Sequence, residues 1–137
     1  MITLDRSTAA KIILAVRFSL GPLSVFFPRL TTRLMLLDPD ANPASSYLVR
    51  LFGIRDTFLA VAAFVVQEPA RGKIIGYAAA VDLTDATAAV LAGVTRKISP
   101  RAAVLAAVSG LTGVCLGAAA VGRGPLGRRE PTPPTDL

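Results

Sequence analysis

Five charged side chains lie inside runs of apolar residues: Arg17, Arg55, Asp56, Asp82 and Asp85. Arginine among aspartates in such surroundings suits three kinds of chemistry. The pairs can cross-link helices, the carboxylates can relay a proton or cation, or they can act as general acid and base. The third has little company in this chain. The sequence has no His and one Cys, which removes His-based acid–base pairs, Cys/His zinc sites, His-ligated haem and internal disulfides. No nucleophile, metal cluster or phosphate-cradling loop accompanies Asp82 or Asp85. No cofactor or metal is expected, and Cys115 reads as a small apolar filler.

Spacing says which charges can meet. Asp82 and Asp85 are three residues apart and share one helix face, in line with Ala78 and Ala89, whose small side chains leave room for a guanidinium. Arg55 and Asp56 are adjacent and diverge by about 100° on a helix, so each is expected to reach a different neighbour and not the other. Arg17 is the expected partner of one aspartate. With Arg50 counted, three arginines face three aspartates. An isolated charge in hydrocarbon costs roughly 2.5 to 3.5 kcal/mol on insertion scales, which favours pairing inside a bundle.

The elements that must position these charges follow from composition. The chain has 137 residues, of which 53% are hydrophobic and 18% charged, and its mean hydropathy is +0.57. A domain this small has too much surface to hide that much apolar side chain from water, so a bilayer is the expected solvent. Four windows approach the ~20 residues that a span needs: about 8–27, 45–66, 73–94 and 101–121. The first carries Gly21-Pro22, where a kink is expected. It does not read as a signal peptide, being long and followed by Phe26-Phe27-Pro28 with no small-residue cleavage site. The short connections at 67–72 and 95–100 imply antiparallel neighbours. The expected fold is all-α: a four-transmembrane-helix domain over residues 1–121 and a disordered tail over 122–137, rich in Pro and Arg. Its Pro-Thr-Pro-Pro run is the kind that SH3-like grooves bind, but a plain tail is the favoured reading.

Between the first two windows, residues 28–44 are expected to form an interfacial segment and turn. There Asp38 and Asp40 sit beside prolines, and a solvated turn is favoured over a cation site. In the fourth window Ala106, Gly110, Gly113 and Gly117 form a small-residue stripe able to bring another helix close, and the stripe is a candidate subunit contact. Phe26, Phe27 and Tyr47 are expected at one membrane interface and Tyr77 near the other. The net charge of +6 is scattered between apolar runs and forms no basic stripe interleaved with aromatics. That suits lipid headgroups and topology control and speaks against nucleic acid. With both termini inside, seven basic residues (Arg6, Lys11, Arg71, Lys73, Arg123, Arg128, Arg129) face five outside (Arg29, Arg33, Arg96, Lys97, Arg101), which favours that orientation.

Arg-Leu-Phe-Gly-Ile-Arg-Asp at 50–56, the Arg-Phe-Ser-Leu-Gly-Pro-Leu-Ser-Val-Phe-Phe-Pro stretch at 17–28 and Val-Asp-Leu-Thr-Asp-Ala at 81–86 together resemble small actinobacterial four-helix integral membrane proteins. That family is of unknown function and loosely similar to DoxX-like proteins. The chain also looks like the small accessory subunits of large actinobacterial membrane machines, including Mce-type lipid importers and respiratory supercomplexes. The resemblance implies a bacterial inner-membrane protein and carries over no site residue. The expected function is that of a non-enzymatic accessory subunit of a larger inner-membrane complex, with a Mce-type lipid-uptake system as the candidate. The alternative is a small oligomeric proton-coupled transporter using intramembrane Asp residues. It departs from small multidrug transporters, whose essential acid is a Glu in the first helix, where this chain has Arg17.

Overall fold

A computed structural model describes residues 5–122; the expected tail lies outside the described residues from 123 onward. Among the described residues all regular structure is helical: α1 (Arg6–Phe26), α2 (Pro28–Leu34), α3 (Ala44–Val65), α4 (Ala70–Val94) and α5 (Pro100–Val121). Proline sets the starts. Pro28 and Pro100 lie in the first turns of α2 and α5, and Pro43 and Pro69 immediately precede α3 and α4. At these positions a missing N–H breaks no helical bond. Ser99 completes the start of α5 by accepting from the Ala102 N–H at 3.2 Å. At the other ends, α2 and α4 close through left-handed residues, Leu36 (φ 58°) and Arg96 (φ 56°). After α4 the Lys97 N–H returns to the Ala92 carbonyl at 2.8 Å, the bond of a Schellman close.

The long helices form a closed ring. α1 packs on α3 and α5, and α4 packs on α5 and α3, so α1 and α4 face each other across the centre. Short connections make neighbours antiparallel. α1 runs unbroken through the Gly21-Pro22 pair, and Gly21 has a packing role there. A Cβ added to it would stand 2.9 Å from the Thr57 nitrogen, and one added to Gly53 would stand 2.6 Å from the Gly21 carbonyl oxygen. These two glycines let the α1 and α3 backbones touch. α2 folds against α3 and α1, and its fully buried Thr32 donates to the Pro28 carbonyl at 2.7 Å.

Small side chains fill the interior: Ala9, Ala60, Ala63, Ala78, Ala86 and Ala102 are buried. Large apolar ones point outward, among them Phe18, Phe58, Phe64, Leu91, Val94 and Val104. That distribution reverses a water-soluble fold and fits a solvent as apolar as the side chains themselves. α1, α4 and α5 are long enough and apolar enough to cross a membrane. The expectation of four such windows differs at α3, which has the length, 22 residues, but carries Arg50, Arg55 and Asp56. The segment expected to be only interfacial contains the fifth helix, the seven-residue α2.

Candidate functional site

The charged residues meet at mid-length of the ring. Arg17, on the inward face of α1, is 4% exposed. Its guanidinium forks: Nη1 donates to Asp56 Oδ1 on α3 and Nη2 to Asp82 Oδ2 on α4, each at 2.6 Å. Arg55 on α3 makes a second fork, with Nη2 at 2.6 Å from Asp85 Oδ2 and Nη1 at 3.1 Å from Oδ1. Arg55 Nη2 also lies 3.4 Å from Asp56 Oδ1, and its guanidinium stands 5.0 Å from the centre of the Phe52 ring. The result is one chain of pairs, Asp82–Arg17–Asp56–Arg55–Asp85, joining three helices. Planar, multi-donor arginine suits this use, since one side chain can hold two carboxylates in fixed directions.

Two expectations about this layer change. Arg55 and Asp56 do contact each other as well as their separate partners, because both oxygens of Asp85 draw the Arg55 fork across the Asp56 carboxylate. Arg50 does not join the layer: it is exposed and donates from Nε to the Val25 carbonyl at 3.3 Å. The count is therefore two arginines against three aspartates, a formal charge of −1. Asp82 is the carboxylate least served, with one hydrogen bond, to Arg17. The Nε–H groups of Arg17 and Arg55 are buried without a partner among the described residues.

The glycine stripe of α5 serves this layer. A Cβ on Gly113 would overlap the Asp82 carboxylate, standing 2.7 Å from Cγ. Gly110 lies against the Asp82 carbonyl and Ala86, and Gly117 against Ala79. α4 therefore occupies the stripe within the chain, which takes it away from the role of subunit contact. Sequence reading missed the other close approach, Gly21 on Gly53. The signal was present in two isolated glycines at matching depths of consecutive windows.

At the chain's polar ends the turn reading of 38–43 is what the structure contains. The Asp40 and Ala41 backbone N–H groups donate to Asp38 Oδ1 and hold its carboxyl below the usual carboxylate range. Asp40 pairs with Arg29 and Arg33. Among the described residues no group of three His, Cys, Asp or Glu side chains is arranged to hold a metal ion. Cys115 is exposed, as are Phe26, Phe27, Tyr47 and Tyr77. The chain matches no known family model, no curated protein and no solved structure.

Proposed function

We propose that this chain is a non-enzymatic integral membrane subunit of a larger membrane assembly, with four spans and the charged layer as the internal cross-link. The observation that carries the reading is the closure of the layer. Each aspartate in it is held by an arginine, and neither described surface cleft is lined by any of its residues. Groups bound to one another are poor acid–base catalysts and good fasteners. α3 qualifies as the fourth span because pairing removes the penalty of Arg55 and Asp56, and Arg50, in its second turn, donates to the Val25 carbonyl near the end of α1. The outer face, which carries large exposed apolar side chains on α1, α3, α4 and α5, is shared between lipid and partner. On the sequence resemblance the candidate assembly is a Mce-type lipid importer in a bacterial inner membrane.

Native purification in mild detergent followed by mass spectrometry tests the reading: a large stoichiometric partner is expected. A relay, the second reading, has one observation in its favour, the surplus carboxylate. Reconstituted protein that moves protons or a drug-like cation by itself, and loses this with Asp82→Asn or Asp85→Asn, would overturn the subunit assignment. Span number is checked with single cysteines in a Cys115→Ser background: positions 42 and 97 should label from one side and 67 from the other.

A further inference from the structure

We propose that the cleft where α1 and α4 begin and α5 ends binds the headgroup of an anionic phospholipid. The proposal rests on the membrane reading of the chain and adds a ligand to it. The cleft, about 510 Å³, is lined by Arg6, Lys11 and Arg71 on its polar side and by Leu14, Ile75 and Val121 among its apolar residues. Its walls come from the three helices able to cross a membrane. Arg6 and Arg71 stand in the first turns of α1 and α4 and Val121 ends α5, which puts the basic side chains at headgroup depth. Leu14 and Ile75 lie further along their helices, where acyl chains begin.

Charge is unbalanced there. Three cations face one lining carboxylate, Glu68, and its Oε2 already accepts from the Gly72 N–H at 3.2 Å. Asp5, nearby at the start of α1, accepts from the Ser7 hydroxyl at 2.5 Å. Arg71 uses Nε and Nη2 on the Ala63 and Val66 carbonyls, both at 3.0 Å, so it closes α3 and keeps its charge and Nη1. Lys11 is exposed and has no carboxylate partner among the described residues. The cleft at the other end differs: Arg29, one of its cations, is paired with the lining Asp40. A basic pocket between spans with an apolar floor selects a ligand with both an anionic phosphate and a hydrocarbon tail. A zwitterionic lipid lacks the net charge, and free phosphate lacks the tail.

The test uses the full chain in phosphatidylcholine nanodiscs with and without a minor fraction of phosphatidylglycerol, with retained lipid read by native mass spectrometry. Selective retention of phosphatidylglycerol is expected. Lys11→Gln should weaken it about fivefold, the effect of one basic residue near a membrane surface, and Lys11→Arg should restore it. Arg96→Gln with Lys97→Gln, at the opposite end, should leave it unchanged. Equal retention of both lipids, equal loss in the two Gln variants, no loss in Lys11→Gln, or displacement by inorganic phosphate each overturns the proposal. A chain that does not partition into nanodiscs at all refutes the membrane reading instead.

Discussion

Arg17 Nη2 and Asp82 Oδ2 meet at 2.6 Å although their helices, α1 and α4, stand opposite each other across the ring. The side chain of arginine supplies the reach that the backbones do not. Its second nitrogen, on Asp56, ties α3 to the same point, so one buried cation sets the positions of two other helices.

Removing that cation should therefore hurt more than its single position suggests. Arg17→Leu leaves one arginine for three aspartates, and breaking a buried pair typically costs about 3 to 5 kcal/mol. Arg17→Leu with Asp82→Leu should recover part of the loss. Arg17→Lys keeps the charge but loses the fork, and should fall between. Thermal stability in detergent measures all three; a double variant no better than Arg17→Leu would mean that the pair is not coupled.

Asp82 and Asp56 are not equivalent. Asp82→Asn brings the layer to a formal charge of zero and keeps an oxygen acceptor for Arg17 Nη2, so stability should hold or rise. Asp56→Asn weakens an acceptor shared by Arg17 and Arg55 and should cost about 1.5 to 3 kcal/mol, the range for hydrogen bonds to charged groups. The order of the two variants in chemical denaturation is the readout, and the reverse order would show that the surplus charge is not at Asp82.

The glycines supply a comparison within one structure. Gly113→Ala drives a methyl group into Asp82, and Gly53→Ala drives one into α1; each should cost about 1 to 3 kcal/mol. Gly76, whose added Cβ meets nothing within 4 Å, should tolerate Ala or gain up to about 1 kcal/mol from helix propensity. A Gly76→Ala variant as damaged as Gly113→Ala would contradict this packing.

The helices were legible because apolar runs of spanning length are a strong signal, and each window boundary falls within about three residues of an observed helix end. The mid-depth meeting of Arg17, Arg55, Asp56, Asp82 and Asp85 was legible from depth and from the cost of isolated charge. The partner assignments were not, since they depend on which helices become neighbours. The ring places α1 opposite α4, and that arrangement draws Arg17 to Asp56 and Asp82 and leaves Asp85 to Arg55. Arg50 misled the count because depth in the window resembled depth in the bundle, while its rotation on α3 turns it outward to the end of α1. α2 was hidden by its length: seven residues beginning at a proline carry too few turns to show a period.

The loop after α2 offers a measurement outside the membrane. Asp38 is held below the usual carboxylate range by the Asp40 and Ala41 N–H groups, so its contribution to the turn is complete above the unfolded value of about 3.9 and is lost as pH falls through the lower folded value. Amide exchange at Asp40 and Ala41, taken relative to the intrinsic rate at each pH, should accelerate on acidification across that window as the bonds to Asp38 Oδ1 are lost, while exchange at the α1–α3 crossing stays slow. Asp38→Ala should show the fast exchange already at neutral pH, with no further acid response from this turn. Unchanged relative exchange at Asp40 and Ala41 across that window would mean that the Asp38 carboxylate does not hold the turn.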